Sequence, residues 1–424
     1  MIAGGPIPLH LLPSGASAPG DRLHIGGCDV IELTERFGTP LFVYDEQHLI
    51  DRCREAVAAF PGGVAYASKA FLCKAMARLA YDSGMDIDVA TGGELFVARV
   101  AGVPASRMVL HGNNKSDDEL AYAIDEGIGR IVVDSFDEID RIRSIASASA
   151  PLRVLLRLNP GIEAHTHEYL QTGAIDSKFG FPMVDGIADR AIEAIEQSPS
   201  MTLAGFHVHV GSQVFDVASF ARAITAIAPF IAGADVEEVS IGGGLGVAYV
   251  DGEESPSIAQ WGRVVHDAAA EEGITARISA EPGRSIVADA AVTAYTIGTI
   301  KDIPRTRMYV AVDGGMSDNP RPVLYGSGYE AFLARAVGAQ RPEAVRVVGK
   351  HCESGDFIVR DARLPTDVVV GDILVTPVTG AYGHSMGSNY NKVPRPAVVF
   401  VRGGTARVVV ERETYRDMVA KDVG

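Results

Sequence analysis

Cysteine and basic residues are scarce in this sequence. Its 424 residues include four cysteines, Cys28, Cys53, Cys73 and Cys352, which form neither a CxxC pair nor a dense framework. We therefore expect reduced thiols and a reducing compartment, the cytoplasm. Lysine and arginine number 38 against 54 acidic residues, for a net charge of −16. Because an acidic surface repels phosphate backbones and anionic lipid headgroups, neither nucleic acid nor a membrane is expected as a partner.

Long apolar runs are also missing. No stretch of 18 apolar residues occurs, so no membrane-spanning helix is expected. The opening residues, MIAGGPIPLHLLPSG, have no basic flank followed by a long apolar run, so no signal peptide is predicted. A composition of 47% hydrophobic and 22% charged residues is typical of a globular protein, and the length suggests two or three domains.

Eight short β-prone apolar runs alternate with Ala-rich amphipathic stretches from about residue 64 onward. The runs are VAYASKA, DIDVA, MVLHG, RIVVDS, LRVLLRLNP, LAGFHVHVG, VEEVSIGGG and RISAEPG. Apolar strands separated by helices indicate a parallel sheet that is buried on both faces. Eight such units favour a (β/α)8 TIM-like barrel, with a doubly wound open sheet as the alternative.

The hydrophobic pattern of the sequence changes beyond about residue 290, where strand-like runs such as RMYVAVDGG and DILVTPVTG predominate. The last two runs, AVVFVRGG and ARVVVERET, predict a β-hairpin. This pattern predicts a C-terminal β-rich domain. The N-terminal segment is also partly β-like and is expected to pack with it. We predict an N-terminal segment over residues 1–40, a barrel over 41–288 and the β-rich domain over 289–424.

Polar residues and glycines collect where the predicted barrel strands end. They are Lys69, Asp88, His111, Arg157, Asn159, His209, Ser212, Gly242, Gly243, Gly244, Glu281 and Arg284. A barrel enzyme builds its active site at these ends, so together they predict one site.

Lys69 lies among small and apolar residues in AYASKAF. A lysine amine usually reaches water, but a lysine removed from water at a barrel mouth can form a Schiff base, for which pyridoxal phosphate supplies the electron sink. The Gly242–Gly244 turn would approach its phosphate, Glu281 would hold its ring nitrogen protonated, and His209 would lie flat against its ring. Alone, a glycine run is more often a turn and a strand histidine more often a core residue. We expect no metal, since no third ligand can be placed beside His207 and His209.

Twelve segments carry a resemblance to a known family. In chain order they are FGTPLFVYDE, YASKAF, DVATGGEL, LHGNNKS, HEYLQTGAIDSKFGF, FHVHVGSQ, GGGLG, EPGRS, RPVLYG, CESGDF, GAYG and YNKVPRP. On these segments the chain resembles the fold-type III pyridoxal-phosphate decarboxylases, and among them the diaminopimelate decarboxylases. One departure follows Tyr325, where GSGYEAF stands in place of a small residue followed by histidine.

The resemblance implies a role for each matching position. Lys69 would carry pyridoxal phosphate, and Cys352, reaching the site from the partner subunit of a homodimer, would be the proton donor. The remaining cofactor-binding positions would be Asp88, His209, Ser212, Gly242, Gly243, Gly244, Glu281, Gly283, Arg284 and Tyr382. The substrate-binding positions would be Arg284, Arg321, Tyr325, Glu353 and Tyr382.

The resemblance also implies the reaction, which is decarboxylation of meso-2,6-diaminopimelate to L-lysine and CO2, the last step of lysine biosynthesis. Two arginines suit a diacid, because each planar guanidinium binds a carboxylate in two places. The alternatives are a relative acting on ornithine, arginine or carrier-bound glutamate, and a non-catalytic cofactor-binding protein. An alanine racemase is disfavoured because Glu281 favours a protonated ring.

Overall fold

The computed structural model describes residues 4–161 and 177–424. Part of the HEYLQTGAIDSKFGF segment, residues 167–176, lies outside the described residues. The chain divides into two compact units. The barrel unit comprises Arg52–Val247 and Ser255–Ser285, and the β unit comprises Met1–Asp51, Ala248–Glu254 and Ile286–Gly424. These units are defined by how the chain packs. The domain borders predicted from the sequence, 1–40, 41–288 and 289–424, remain predictions.

The bounds of the regular elements follow in chain order. The strands are β1 (Ala16–Ser17), β2 (His24–Ile25), β3 (Cys28–Asp29), β4 (Leu41–Asp45), β5 (Ala65–Ala67), β6 (Asp86–Val89), β7 (Met108–Leu110), β8 (Arg130–Val133), β9 (Leu152–Asn159), β10 (Phe181–Pro182), β11 (Met201–His207), β12 (Glu238–Ser240), β13 (Arg277–Ser279), β14 (Ala291–Ile303), β15 (Arg307–Val312), β16 (Phe332–Leu333), β17 (Glu343–Val348), β18 (Phe357–Leu364), β19 (Ile373–Pro377), β20 (Ala397–Arg402) and β21 (Thr405–Val410). The helices are α1 (Val30–Phe37), α2 (Glu46–Ala59), α3 (Lys74–Asp82), α4 (Gly92–Val100), α5 (Asp117–Asp125), α6 (Phe136–Ile145), α7 (Ile187–Glu196), α8 (Ala218–Ala232), α9 (Ile258–Glu271), α10 (Arg284–Val287) and α11 (Arg321–Tyr325).

Eight parallel strands of the barrel unit follow one another in the order β5-β6-β7-β8-β9-β11-β12-β13, and the two-residue strand β10 pairs with β9 beside this path. A parallel bridge between Val64 and Ala280 joins the first strand to the last, and the Ala65 N–H donates to the Ala280 carbonyl at 2.9 Å. The predicted TIM-like barrel is confirmed. Its strands are nearly continuous apolar runs because helices cover one face and the barrel interior fills the other.

Hydroxyl side chains cap the N-termini of several barrel helices. Ser116 and Glu119 form a capping box at the start of α5, in which each side chain accepts from the other's backbone N–H. The Glu119 carboxylate also accepts from the Gly92 N–H at 2.8 Å, so the loops after β6 and β7 are tied together. These caps fix the βα loops, which carry the polar residues of the barrel mouth.

The β unit is built around the long strand β14. Its sheet has the order β18-β17-β15-β14-β4-β20-β21, and β19 pairs with both β14 and β16. The predicted hairpin is β20–β21, whose loop residues Gly403 and Gly404 both have positive φ. The N-terminal segment bonds to later residues of the same unit, as the Leu23 N–H donates to the Ala334 carbonyl at 2.7 Å. No helix of the described residues is long and apolar enough to cross a membrane.

Candidate active site

Polar side chains from neighbouring barrel strands meet at one mouth of the barrel. The strands run parallel, so residues at or just beyond their carboxyl ends lie at the same end. The buried polar side chains there include Asp88, His111, Arg157, Asn159, His207, Ser240 and Glu281. Sequence reasoning assigned no role to Ser240 and considered His207 only as a metal ligand. The i, i+2 spacing of His207 and His209, which places two residues on one face of a strand, was the available signal.

Glu281 is the centre of this cluster. Its Oε1 accepts a hydrogen bond from Ser240 Oγ at 2.7 Å, and its Oε2 lies 3.0 Å from His207 Nε2. The Nε2 of His111 lies 3.4 Å from Glu281 Oε1 and 3.6 Å from Asp88 Oδ1. Both Glu281 oxygens are therefore held in place by side chains from other strands.

The cluster keeps Glu281 ionised although it is buried. Burial opposes its charge, but the neighbouring His111 and His207 more than offset this and hold the pKa of Glu281 well below its usual range. Burial lowers the pKa of His207, whereas Asp88 and Glu281 outweigh burial at His111 and raise its pKa. Burial raises the pKa of Asp88 to about 6. Glu281 is thus the more acidic of the two carboxyl groups, and His111 is the more basic of the two histidines.

His209 is a neutral ring beside the glycine turn. Burial, followed by the charge of Lys69, lowers the pKa of His209 well below its usual value. Its Nδ1 lies 3.3 Å from the Gly243 N–H, which donates to it, so the ring proton belongs on Nε2. A neutral imidazole can lie against a cationic aromatic ring without charge repulsion.

Lys69 follows β5 directly, in a single 3-10 turn over Ser68–Ala70. Ser68 and Ala70 are buried, whereas the Lys69 side chain is exposed. This differs from the expected lysine removed from water. The physical reason is that Lys69 lies in a turn just beyond the last residue of the strand, outside the packed strand itself. Its charge lowers the pKa of both His209 and Asp88, so the amine faces this cluster.

The turn after β12 requires glycines because the backbone of neighbouring loops approaches it too closely for a side chain. Gly242 and Gly244 have φ of 65° and 110°, conformations that favour glycine. A Cβ on Gly243 would lie 2.2 Å from the Glu281 carbonyl oxygen, and one on Gly244 would lie 2.0 Å from the Gly211 carbonyl oxygen. The turn is a cradle that only glycine fits, as expected of a loop whose backbone N–H groups receive a phosphate.

A second short segment lies near that turn. The Nη2 of buried Arg284 donates to Ser212 Oγ at 3.0 Å, which links the start of α10 to the loop after β11. A Cβ on Gly283 would lie 2.9 Å from the Ala67 carbonyl oxygen, so glycine allows this loop to approach β5. The cradle, the ionised Glu281 and the neutral His209 together fit the phosphate, ring nitrogen and ring face of pyridoxal phosphate.

The same cluster offers the donor set of a metal site. His111, His207 and Glu281 each present one ligand atom, and these atoms lie within 4.8 Å of one another. Sequence reasoning placed no third ligand beside His207, and the structure supplies two. Because the Glu281 oxygens are already engaged by Ser240 and His207, we assign the cluster to orienting Glu281, and the absence of a metal stays a prediction.

In the β unit, Arg321 is a buried cation surrounded by neutral groups. Its Nε donates to Tyr329 Oη at 2.9 Å and its Nη2 donates to Ser327 Oγ at 3.1 Å. Its guanidinium carbon lies 4.8 Å from the ring centroid of Tyr249, and 5.9 Å from those of Tyr325 and Tyr382. Among residues 4–161 and 177–424, no carboxylate forms an ion pair with it. Burial opposes its charge, but Tyr329 and Tyr249 outweigh burial and raise the pKa of Arg321, so it stays charged.

The CESGD segment lies elsewhere in the β unit. Cys352 and Glu353 are exposed, and the Tyr390 hydroxyl donates to Glu353 Oε1. Buried Asp356 anchors the segment by accepting from the His351 and Met316 N–H groups at 2.9 and 2.7 Å. Within the described chain, no hydrogen bond or ion pair joins Cys352 or Glu353 to Arg321.

The predicted site residues therefore form groups within each unit. The barrel mouth carries Lys69, Asp88, His209, Ser212, Gly242, Gly243, Gly244, Glu281, Gly283 and Arg284. The β unit carries Arg321, Tyr325 and Tyr382 in one cluster, and Cys352 and Glu353 in one segment. Sequence reasoning missed Tyr249, Ser327 and Tyr329, and the GSGYEAF departure was the signal that could have drawn attention to the last two.

Comparison with known proteins agrees with this arrangement. Residues 46–288 match the family model described as pyridoxal-dependent decarboxylase, pyridoxal binding domain. Diaminopimelate decarboxylase of Bacillus subtilis is 45% identical over 419 residues, covering 95% of this chain and 95% of the relative. That of Mycobacterium tuberculosis is 43% identical over 442 residues, covering 98% and 99%.

Solved structures give the same result. The crystal structure of diaminopimelate decarboxylase from M. jannaschii in complex with L-lysine matches with a TM-score of 0.89 at 32% identity, over 97% of this chain and 98% of that one. The comparisons confirm the predicted pyridoxal-phosphate cofactor and the predicted enzyme class, a carboxy-lyase that depends on it. The chain belongs to the pyridoxal-dependent decarboxylase family, and within it to the diaminopimelate decarboxylases.

Proposed function

We propose that this protein decarboxylates meso-2,6-diaminopimelate to L-lysine and CO2, the last step of lysine biosynthesis. The observation that carries the choice of substrate is Arg321, a buried cation with no carboxylate partner among the described residues. A buried charge requires compensation, and a substrate carboxylate provides it. The near full-length similarity to named diaminopimelate decarboxylases supports the same substrate.

The barrel residues hold the cofactor and tune it. Lys69 would supply the amine that holds the cofactor, with the Asp88 carboxylate near it. Gly242, Gly243, Gly244 and Gly283 would receive the phosphate, together with Ser212 and Arg284. When bound, pyridoxal phosphate draws the electron pair left by decarboxylation into its ring. Glu281 would keep the ring nitrogen protonated because it is itself held ionised, and neutral His209 would cover the ring face.

Residues of the β unit handle the substrate in this proposal. Arg321 and Tyr325, together with Arg284, bind carboxylates, Glu353 binds the distal ammonium group, and Tyr382 contacts both cofactor and substrate. A site built to pair a charged group rejects analogues that lack it, because its own groups are then left unpaired. Such a site prefers a substrate with two carboxylates over ornithine or arginine.

We further propose a homodimer with shared sites, in which Cys352 of one subunit returns a proton to the α-carbon in its partner's site. Cys352 and Glu353 are exposed in the single chain, which leaves them accessible to a second subunit. A reducing compartment, the cytoplasm, suits a thiol in this role, and none of the four cysteines, all of them in the described chain, forms a disulfide.

A substrate panel tests the proposed reaction. The purified protein, loaded with pyridoxal phosphate, is given meso-diaminopimelate, L-lysine, L-ornithine or L-arginine, and CO2 release is measured. We expect CO2 from meso-diaminopimelate alone, with L-lysine as the other product, and none from the matched Lys69→Ala protein. Release only from a monocarboxylic amino acid would refute the proposal.

A further inference from the structure

We propose that Ser327 and Tyr329 are positioning residues that orient Arg321 for a substrate carboxylate without neutralising its charge, and so set the preference for a diacid. The inference rests on the proposed function and extends it to the stretch after Tyr325 where the sequence departs from the family's more common pattern. Neither residue needs to touch the reacting atoms, since each acts through Arg321.

The two side chains that hold Arg321 are hydroxyl acceptors and not carboxylates. Arg321 Nε and Nη2 donate to two hydroxyl groups, Tyr329 Oη and Ser327 Oγ. A carboxylate in either position would pair with the guanidinium and cancel most of the attraction that an incoming anion would experience. Hydroxyls fix the planar fork in direction and leave its full positive charge available. Nη1 has no hydrogen-bond partner within the described chain and remains for a ligand oxygen.

A turn after α11 brings these hydroxyls to Arg321. Helix α11 ends at Tyr325 and is capped by Gly326, which has φ of 62° and ψ of 20°, a left-handed conformation that glycine adopts easily. The chain therefore turns back after α11, and residues two and four positions beyond Tyr325 reach the guanidinium. A side chain with a Cβ at position 326 would strain this reversal.

The returning segment is itself anchored, through Tyr329 and Glu330. The Tyr329 ring meets the Tyr249 ring edge to face, with centroids 5.2 Å apart, and the same Tyr249 ring lies under the guanidinium. The next residue, Glu330, forms an ion pair with Arg341 at 2.9 Å. Tyr329 is buried, so its hydroxyl has a defined position from which to hold Arg321.

Three variants test this role. Tyr329→Phe keeps the ring against Tyr249 and removes only the hydroxyl, Ser327→Ala removes the other acceptor, and Ser327→Thr keeps a hydroxyl as the matched control. We expect KM for meso-diaminopimelate to rise about tenfold in Tyr329→Phe and about threefold in Ser327→Ala, because the loss of one hydrogen bond typically has an effect within this range. We expect kcat to change less than KM, since the carboxylate is held in ground and transition states alike, and Ser327→Thr to resemble the wild type.

Calorimetry provides a readout that does not depend on turnover. Holoenzyme is titrated with heptanedioate, which has two carboxylates and no amine, and with 1,5-diaminopentane, which has two amines and no carboxylate. Tyr329→Phe should weaken heptanedioate binding about tenfold and leave diamine binding unchanged.

The outcomes separate this inference from the proposed function. If the wild type decarboxylates meso-diaminopimelate and Tyr329→Phe keeps the wild-type KM, the inference is overturned and the function stands. If the wild type does not act on meso-diaminopimelate, the proposed function is refuted, and the binding of heptanedioate then tests the inference. Weaker binding by Tyr329→Phe than by the wild type would then support the inference, whereas equal binding, or none by either, would overturn it.

Discussion

At the scale of single residues, the charge of Glu281 decides what the barrel mouth can do. A carboxylate this deeply buried would ordinarily take up a proton. Here His111 and His207 lie within 3.4 and 3.0 Å of its oxygens, and they hold its pKa well below the usual range. The residue can therefore hold a pyridine nitrogen in its protonated form, which a neutral carboxylic acid could not.

Glu281→Gln should expose this dependence. The amide keeps the size and some of the hydrogen bonds of the carboxylate but carries no charge, so we expect kcat for CO2 release to fall about a hundredfold or more. The matched control is Ser240→Ala, which removes one hydrogen bond to Glu281 and leaves its charge, with an expected loss below about tenfold. Wild-type kcat in a folded Glu281→Gln protein would refute the role.

His384 makes the fold sensitive to acid. Burial, followed by the charge of Arg395, lowers the pKa of His384 to about 4. Because the pKa of His384 is about 4 in the folded protein and about 6.5 in the unfolded chain, its contribution to the free energy of unfolding is complete above about pH 6.5 and is lost progressively as the pH falls from there to about 4.

We expect this residue to remove about 2 kcal/mol from the free energy of unfolding between pH 7 and pH 4.5. Urea unfolding of His384→Gln at the two pH values should show a smaller difference than the wild type by that amount. His10→Gln, which changes an exposed histidine, is the control and should keep the wild-type difference. The same difference in all three proteins would contradict the assignment.

At the scale of elements, the glycine turn after β12 determines how closely the loops of the barrel mouth pack. A methyl group on Gly243 would lie 2.2 Å from the Glu281 carbonyl oxygen, so the ends of two strands would have to separate. We expect Gly243→Ala to raise the dissociation constant of pyridoxal phosphate at least about tenfold, measured by titrating the apoprotein and following absorbance. The control is Gly93→Ala in α4, where the nearest atom would be Thr91 Oγ1 at 3.7 Å. Equal affinity in both variants would argue against a phosphate cradle.

The elements also show what the sequence could and could not predict. The barrel strands were predictable because each is a short apolar run followed by a helix, and their parallel order puts Lys69, His209 and Glu281 at one end. The network around Glu281 was not, because Ser240 and His207 look like ordinary strand residues until the register brings β11, β12 and β13 side by side.

The surroundings of Arg321 were unpredictable for a similar reason. Tyr249 is 72 positions away in the chain, and only the fold places its ring under the guanidinium. Ser327 and Tyr329 are close in sequence, but their contact depends on the left-handed turn at Gly326. Exposure of Lys69 could not be read from AYASKAF, since small flanking residues are compatible with a side chain pointing either way.

At the scale of the whole molecule, the proposed shared site requires two subunits. Lys69→Ala should lose activity because the cofactor's amine partner is gone, and Cys352→Ala should bind cofactor but turn over slowly. Mixing the two variants under conditions of subunit exchange should restore about a quarter of wild-type activity, since half of the dimers would be hybrids with one intact site each. No recovery after exchange has been verified by mass would argue against sharing.

The most direct test of whether Lys69 carries the cofactor is to locate the cofactor's attachment point on the chain. Holoprotein is reduced with borohydride, digested and analysed by mass spectrometry, which locates the lysine that carries the reduced pyridoxyl group. We expect the added mass on the peptide containing Lys69. The label should be absent from Lys74, five residues away at the start of α3, and from buried Lys115. Labelling at either of those lysines, or no labelling of a protein that has bound pyridoxal phosphate, would contradict it.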